Sequence, residues 1–269
     1  MYSQLGDRPA DHGDAFEFAD PDVADAYRHR PPYPADTFTA LSELMPGPSR
    51  RMLDLGCGSG FIARPMAPLT DSVDAVDISA AMLDLGRQKT TAASHPNLRW
   101  LHGPAESCPL EPGYDLITAG ESLHWMDLRA IMARVQTLLA PGGWLAILRA
   151  GCLPTPWASD LMSVVARYKA PGPEISSRRV ADDLVRGGLF VAAGVREVGP
   201  ETFVQSIDDY VESFHGRSVL SRRRLGRANA QAFDDAVRRL LDAAGCQEVT
   251  QQITARIIWG RPTAVVPPS

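Results

Sequence analysis

The stretch Leu53-Asp54-Leu55-Gly56-Cys57-Gly58-Ser59-Gly60 decides the fold of this chain. A short apolar run that contains one acid leads directly into three glycines at alternate positions. Glycine adopts positive φ without strain and, because it lacks Cβ, lets the backbone come close to a ligand. The stretch therefore predicts a strand, a tight turn and the start of a helix, as at the opening of a nucleotide-binding α/β domain.

A second acid, Asp77, ends the next apolar run, residues 73–76. Its spacing from Asp54 is near the roughly 20 residues at which an acid binds a ribose hydroxyl. A dinucleotide fingerprint would place a third glycine where this chain has Phe61, and no Lys-Ser or Lys-Thr pair follows as in a P-loop. A ligand that has adenosine but no phosphates fits this pattern better.

With these residues the chain resembles the class I S-adenosylmethionine-dependent methyltransferases, whose first motif is an acid followed by Gly-x-Gly-x-Gly. Four further landmarks come in the family's order: Asp77-Ile78-Ser79, Pro104-Ala105-Glu106, Tyr114-Asp115-Leu116-Ile117 and Leu139-Ala140-Pro141-Gly142-Gly143, the last being the turn into strand five. Within the family, His124-Trp125-x-Asp127 is similar to the small-molecule type 11 group. The resemblance covers residues 50–149 and implies a doubly wound, Rossmann-like α/β fold: a mostly parallel seven-stranded sheet, antiparallel at one edge, with a small helical cap.

Hydrophobic periodicity points to the same fold class. Nearly continuous apolar runs at 114–118 and 144–149 are typical of strands buried on both faces. An apolar stripe over residues 128–139 has helical spacing, and alternation of strands with helices predicts a parallel sheet. Beyond residue 150 the alternation ends; helices are predicted at 159–168, 177–189 and 207–244, and strands at 196–206 and 253–259.

We expect three parts in the chain. An N-terminal segment with lid helices spans 1–48, and the cofactor-binding α/β core spans 49–150. The remainder of the α/β domain spans 151–269, with substrate-cap insertions near 150–175 and 207–230. The first 20 residues are polar and acidic, so we expect a frayed terminus.

Composition excludes several classes of protein. The 269 residues are 45% apolar and 22% charged, near the globular average. A net charge of −5 disfavours nucleic acid and anionic membranes as partners. Neither an apolar run of about 18 residues nor a signal peptide is present, so we expect a cytoplasmic protein, a monomer or homodimer. The histidines and cysteines lack the spacing of metal ligands, and no metal is expected.

The family resemblance implies contacts between the glycine turn and the methionine part of the cofactor. Gly56, Gly58 and Gly60 would approach it, and Asp54 would support the turn. Asp77 would accept hydrogen bonds from both ribose hydroxyls. The resemblance also places adenine between Ile78 and Met82, with its polar edge at Ala105 and Glu106.

The segment Tyr-Arg-His-Arg-Pro-Pro-Tyr-Pro, residues 27–34, is similar to the N-terminal lid of related small-molecule methyltransferases. By that resemblance Tyr27, Arg30 and Tyr33 would close over the methionine carboxylate, which suits the bidentate fork of arginine. The alternative is a proline-braced connector that packs on the sheet edge.

Glu121, His124 and Trp125 follow strand four, where this fold touches its substrate. His124, with an ordinary pKa of roughly 6.5, is a candidate general base, or an architectural residue next to the cofactor. Glu121 is a second candidate base or a stabiliser of positive charge, a cofactor neighbour, or a helix cap. Trp125 is predicted to line the substrate site.

His215 lies near five arginines of the cap region, Arg217, Arg222, Arg223, Arg224 and Arg227. A solvated helix face explains such a run. The functional hypothesis is that His215, Arg222 and Arg223 bind an anionic acceptor through arginine forks.

The expected function is methyl transfer from S-adenosylmethionine to a small molecule, an anionic biosynthetic intermediate being one candidate, at oxygen, nitrogen or carbon. Because the sulfonium is itself a good leaving group, the protein mainly has to align the reactants and exclude water. One alternative is an enzyme of the same fold that binds this cofactor and catalyses a non-methylating step such as cyclisation. The other is a non-enzymatic binding protein.

Overall fold

The computed structural model describes Phe18 and residues 20–91, 93–171 and 179–263. The expected frayed start and the first residues of the helix predicted at 177–189 lie outside these described residues. No described helix combines the length and the apolar composition needed to span a lipid bilayer.

A single seven-stranded sheet organises the chain. Its strands are β1 (Arg51–Leu55), β2 (Ser72–Asp77), β3 (Leu98–His102), β4 (Tyr114–Gly120), β5 (Leu139–Cys152), β6 (Phe190–Gln205) and β7 (Val249–Pro262). They lie in the order β3-β2-β1-β4-β5-β7-β6. The first five strands are parallel to their neighbours, whereas β7 pairs antiparallel with both β5 and β6. The mostly parallel sheet with an antiparallel edge is therefore confirmed.

The strand order reverses between β1 and β4, which places the carboxyl ends of β1, β2 and β4 side by side. Ligands of open α/β sheets bind at such a switch point. Residues that end three separate segments of sequence, Leu55, Asp77 and Gly120, thereby meet at one edge.

Nine α-helices accompany the sheet in the described part of the chain. They are α1 (Pro21–Tyr27), α2 (Asp36–Ser42), α3 (Ala63–Met66), α4 (Ala80–Gln88), α5 (Leu128–Leu138), α6 (Ala158–Tyr168), α7 (Val180–Arg186), α8 (Ile207–His215) and α9 (Arg222–Ala243). Short 3-10 turns lie at Ala67–Leu69, Leu123–Trp125 and Ser218–Leu220. The apolar stripe predicted over 128–139 is α5, which Asp127 caps by accepting from the amides of Arg129 and Ala130.

Each face of the sheet has its own buried layer. In β1, Met52 packs with the layer that contains Leu41 and Leu83, from α2 and α4. The next residue, Leu53, packs with Ile131 of α5 on the opposite face. This alternation follows from the two-residue period of a strand. Helices on both faces explain why β1 and β4 are almost entirely apolar.

A third apolar cluster lies in the cap, which we define as α6, α8 and α9 with their connections. Tyr210 and Phe214 of α8 pack against Phe233 and Val237 of α9, and Leu161 of α6 covers them. The region predicted as helical over 207–244 is thus two helices, and α9 itself kinks at Gly226, where φ is 72°.

Two boundaries differ from the sequence prediction. Pro141-Gly142-Gly143 was expected to be a turn before β5, but β5 already begins at Leu139. The pairing with β4 shifts register between Tyr114 and Leu116, so the turn-forming residues occupy an irregular strand start, with φ of 92° at Gly142. Strand β6 begins at Phe190, earlier than predicted, because it pairs with nearly all of β7.

Candidate active site

An elongated cleft opens at the carboxyl edge of the sheet. Its wide chamber, about 690 Å³, is lined by the ends of β1, β2 and β4. A narrow chamber of about 460 Å³ continues from it toward the lid, which we define as α1 and the segment that follows to Pro34. Tyr27, Gly56, Gly120 and Glu121 line both chambers, so the two form one site.

The glycine turn forms the floor of the cleft. Gly56 and Gly58 have φ of 65° and 53°. A Cβ on Gly56 would lie 2.5 Å from Cβ of Ser122, whose Oγ donates to the Leu55 carbonyl at 2.6 Å. Only glycine allows β1 and the segment after β4 to approach this closely. Both glycines line the wide chamber, in agreement with the prediction that they contact a ligand.

Gly60 has a different environment from the one predicted. A Cβ there would lie 2.5 Å from Cη2 of Trp100, and a Cβ on Gly86 of α4 would meet the same atom at 2.5 Å. Gly60 lines neither chamber. The third glycine of the motif therefore serves packing against the Trp100 ring, and its assignment as a ligand contact is corrected.

Asp54 lies almost completely buried, 1% exposed, in the wall of the narrow chamber. Thr118 Oγ1 donates to its Oδ1 at 2.8 Å, whereas Oδ2 has no hydrogen bond of good geometry from the described residues. Burial raises the pKa of Asp54 to about 7, although Thr118 and the Ala63 amide favour the charged form. A buried carboxylate oxygen without a partner is suited to a positively charged ligand group.

Asp77 is held in the wall of the wide chamber by two backbone donors. Its Oδ2 accepts from the Gly58 amide at 2.7 Å and its Oδ1 from the Ser79 amide at 2.8 Å. Burial raises its pKa above the ordinary value. Each carboxylate oxygen keeps a further lone pair, so the fixed group can still accept from hydroxyls in the chamber.

The four residues predicted beside adenine are brought together in the wide chamber. Ile78, Met82, Ala105 and Glu106 all line it, although they come from two separate loops. The Glu106 carboxylate also accepts from the Asp127 amide at 3.1 Å, which fixes the side chain at the start of α5. Apolar walls with one polar edge are the arrangement expected for a purine site.

The lid lies over the narrow chamber. Tyr27, Arg30 and Tyr33 line it, and the Arg30 guanidinium lies 4.9 Å from the centre of the Tyr27 ring. Burial raises the pKa of Tyr33 well above its usual range, and the Glu121 charge adds to the effect. The structure thus brings the three predicted lid residues together at one wall.

Sequence reasoning missed Phe18. Its ring packs edge-on against Tyr27 and Trp125, with centroid distances of 6.0 and 5.8 Å. Its carbonyl accepts from Ser79 Oγ at 2.5 Å. These contacts complete an aromatic roof of Phe18, Tyr27 and Trp125 over the wide chamber. Phe16 and Phe18 are the only aromatic residues between positions 3 and 26 of the sequence, and this acidic segment carried no helical periodicity that could have identified Phe18.

The two candidate bases have different positions. Glu121 lines both chambers, has the unusual φ of 53°, and accepts from the Ala150 amide at 3.0 Å. His124 lines neither chamber, and its ring lies 4.7 Å from that of Trp125. Burial, together with the Arg30 charge, lowers the pKa of His124 to about 4. A non-glycine residue with positive φ is strained and is frequent at functional sites.

His215 does not reach the cleft. Its Nδ1 lies 2.8 Å from the Leu220 carbonyl oxygen and its Nε2 lies 2.7 Å from Asp234 Oδ1. Both ring nitrogens therefore lie within hydrogen-bond distance of an oxygen of the cap. Its predicted contact with substrate is corrected to a buried ion pair inside the cap.

Arg222 and Arg223 also have protein partners. Arg222 donates to Glu212 at 2.6 Å and to Asp234 at 3.1 Å. Arg223 Nε lies 3.5 Å from the Asp20 carboxylate. Neither lines a chamber. Internal pairing, which the sequence could not reveal, replaces the acceptor-binding role that was predicted for them.

Comparison with known proteins agrees with this architecture. Residues 52–143 match the sequence model of a family described as a methyltransferase domain. An uncharacterized methyltransferase of Mycobacterium tuberculosis is 34% identical over 110 residues, 40% of this chain and 54% of that protein. A ubiquinone biosynthesis O-methyltransferase of Albidiferax ferrireducens is 32% identical over 39% of this chain and 43% of its own length. The chain thus spans about half the length of these relatives.

Solved structures extend the likeness beyond the glycine turn. A candidate type II methyltransferase from Anaeromyxobacter dehalogenans superposes with a TM-score of 0.64 at 25% identity, covering 86% of this chain and 97% of that one. The YcgJ protein of Bacillus subtilis has the same fold, with a TM-score of 0.52 at 17% identity over 84% of this chain and 97% of its own. Taken with the matching domain at residues 52–143 and the seven-stranded sheet, these likenesses support a class I S-adenosylmethionine-dependent methyltransferase.

Proposed function

We propose that the protein transfers a methyl group from S-adenosylmethionine to a small molecule. One observation carries the proposal: two connected chambers offer different chemistry at opposite ends of a single cleft. The wide chamber combines apolar walls with the fixed carboxylate of Asp77, and the narrow chamber combines the carboxylate of Asp54 with the guanidinium of Arg30.

The residues present fit the cofactor. Adenine suits the walls formed by Ile78 and Met82, and Asp77 can accept from the ribose hydroxyls. The unpaired Oδ2 of Asp54 suits the ammonium of the methionine part, and Arg30 suits its carboxylate. The type 11 subgroup and these individual roles remain predictions.

When bound, the cofactor supplies an electrophilic methyl group on a sulfonium leaving group. The protein then has to hold the two reactants in line and keep water out. Gly56 and Gly120 form the passage between the chambers, and the aromatic roof of Phe18, Tyr27 and Trp125 covers the wide chamber. Alignment and desolvation are therefore the contributions that we assign to this chain.

Glu121 is the better placed of the two candidate bases, because it lines both chambers while His124 lines neither. With a pKa of about 4, His124 is uncharged at neutral pH, and only its position excludes it from contact with an acceptor in the chambers. We therefore assign proton removal from the acceptor, where the acceptor requires it, to the Glu121 carboxylate. His124 then serves the packing of Trp125.

A small acceptor is favoured over a macromolecule. The lid borders the site, and the two chambers form a concave cleft of the size typical of small-molecule sites. The net charge of −5 opposes binding of nucleic acid.

Calorimetric titration with S-adenosylhomocysteine tests the cofactor assignment. We expect binding by the unaltered protein and a loss of about tenfold or more in Asp77→Ala, since hydrogen bonds to a charged group contribute about 1.5–3 kcal/mol. Asp84→Ala is the matched control, because Asp84 is exposed on α4 and pairs only with Arg87 in the described structure. Equal affinities in Asp77→Ala and the control would refute the ribose assignment.

Product mass separates methylation from other chemistry. Incubation with S-adenosylmethionine and candidate acceptors should yield products heavier by about 14 Da, the mass of one added CH₂. A cofactor-dependent product with unchanged mass would instead establish the non-methylating alternative. Binding without turnover across a broad acceptor panel would favour a binding protein.

A further inference from the structure

Arg217 lies where the cap contacts the lid. It is two residues beyond His215, the last residue of α8, and it precedes the 3-10 turn Ser218–Leu220. A Cβ on the preceding Gly216 would lie 2.9 Å from Cα of Tyr27 and 3.0 Å from its nitrogen. The backbone that carries Arg217 is thus packed directly on the residue that lines both chambers.

Arg217 differs from its neighbour Arg222 in its partners. Arg222 is held by two carboxylates, whereas no carboxylate of the described residues forms an ion pair or hydrogen bond with Arg217. Its guanidinium instead lies 4.8 Å from the centre of the Phe214 ring. An aromatic face orients a guanidinium and leaves its N–H groups available to an in-plane partner.

Arg217 is exposed, and charged groups of two other elements act on it: Arg30 of the lid and Glu121 after β4. Both of these residues line the narrow chamber. The surrounding protein lowers the pKa of Arg217 to about 10 by desolvation, and the positive charge of Arg30 adds to this. Arg217 is therefore still charged at neutral pH.

We propose that Arg217 binds an anionic group, a carboxylate or a phosphate, of the methyl acceptor. The inference rests on the proposed function, because it names the substrate class of the same site. Arg30 lines the narrow chamber and is assigned to the carboxylate of the cofactor, whereas Arg217 lines neither chamber and approaches from the cap. An anion there would receive the bidentate fork of the guanidinium.

The anion ligand proposed here, Arg217, differs from the arginines that the sequence predicted for this role, Arg222 and Arg223. The run from 217 to 227 predicted an anion site, and the structure shows that Arg222 is paired internally. Arg227, in the same run, is exposed on α9 and lies away from the lid contacts made by Gly216. Arg227→Gln removes the same charge as Arg217→Gln and is therefore the control for it.

The test is a calorimetric titration of simple probes into protein saturated with S-adenosylhomocysteine. The probes are inorganic phosphate, benzoate, and benzamide as the neutral counterpart of benzoate. We expect phosphate or benzoate to bind and benzamide not to bind. Arg217→Gln should weaken anion binding by about tenfold or more, as for loss of a charge-assisted hydrogen bond. Arg217→Lys should retain part of the affinity, and Arg227→Gln all of it.

Titration of S-adenosylhomocysteine alone distinguishes the ways in which this could fail. Unchanged cofactor affinity in Arg217→Gln shows that the variant is folded. If the unaltered complex binds no anion, or if Arg217→Gln and Arg227→Gln bind it equally, the inference is wrong and the proposed function stands. If Arg217→Gln weakens the cofactor and not the anion, Arg217 is a cofactor ligand and the inference is again wrong. If the unaltered protein does not bind S-adenosylhomocysteine, the proposed function itself falls, and the inference with it.

Discussion

Asp54 combines a buried carboxylate, one unpaired oxygen and a pKa of about 7. In water an aspartate has a pKa of about 3.9, so burial favours the protonated form at this position. A cationic ligand group beside Oδ2 would reverse that effect by stabilising the charged form. Cofactor binding and the protonation of Asp54 should therefore be linked.

We predict that binding of S-adenosylhomocysteine near pH 7 releases part of a proton from Asp54, because burial leaves the free group partly protonated there and the complex holds it ionised. Affinity should accordingly increase as the pH rises through about 7. Calorimetry in buffers of different ionisation enthalpy measures the released proton. In Asp54→Asn this release should disappear, while any contribution from the ligand's own amine remains. Equal release by both proteins would contradict the assignment.

At the scale of single residues, the sequence predicted which residues line the site better than it predicted their protonation and their partners. Asp77 and Ile78 were found because spacing along a strand and turn is encoded locally. The low pKa of His124 and the raised pKa of Asp54 depend on burial by distant segments, which no local pattern reports. Pairing of Arg222 with Asp234 was equally invisible, because it joins two helices through the fold.

At the scale of elements, the cap and the lid share one close contact. Gly216 has φ of −74°, an ordinary value, so its requirement for glycine comes only from the nearby backbone of Ala26 and Tyr27. An ion pair between His29 and Asp209, 2.9 Å long, supports the same contact. The cap loop and the lid are therefore fitted backbone to backbone.

We predict that Gly216→Ala separates these two elements. The added methyl would overpack the contact at a cost of about 1–3 kcal/mol, and displacement of Tyr27 should weaken binding of S-adenosylhomocysteine. Calorimetry and thermal unfolding measure the two effects. Gly47→Ala is the control, since a Cβ at Gly47 would meet only the Ser49 carbonyl oxygen at 3.8 Å. Unaltered affinity in Gly216→Ala would show that the cap does not support the lid.

Element prediction succeeded where one physical signal dominated. Strand β1 was predicted with its observed bounds because a strand buried on both faces is a continuous apolar run. The start of β5 was wrong because Pro141, Gly142 and Gly143 are usually turn residues, and only pairing with β4 holds them in the sheet. The two cap helices were merged because their charged surfaces hide the short break between His215 and Arg222.

At the scale of the molecule, the cap is held together by a buried charge cluster as well as by its apolar contacts. Asp234 receives hydrogen bonds from His215 and Arg222. Although burial opposes its charge, these two partners hold the pKa of Asp234 below its ordinary value. A folded-state pKa below the unfolded one means that the stabilisation is present above about pH 4 and is lost as the pH falls through the folded pKa.

We predict that Asp234→Asn lowers the free energy of unfolding at pH 7 by about 3–5 kcal/mol, because it removes the only carboxylate paired with the buried His215 in the described structure and one of the two carboxylates paired with Arg222. The difference from the unaltered protein should shrink as the pH falls below about 4. Urea unfolding at both pH values measures it. Asp242→Asn, an exposed change on the same helix, should stay within about 0.5 kcal/mol. A pH-independent difference would show that Asp234 acts by shape and not by charge.

The overall topology was predictable because the glycine turn, the acid after β2 and the order of later landmarks all lie in one segment of about 100 residues. The cap was not, because its residues are held by contacts between helices that are far apart in sequence. The same run of arginines contains Arg222, which pairs with two carboxylates of the cap, and Arg217, which packs on the Phe214 ring.

The backbone contact between Gly216 and Tyr27 has a consequence for any movement at the site. Tyr27 belongs to the wall of both chambers. Because the cap loop packs on the same residue, a displacement of Tyr27 also displaces Gly216 and the adjacent Arg217. The wall of the cleft and the cap loop are thus expected to move as one unit.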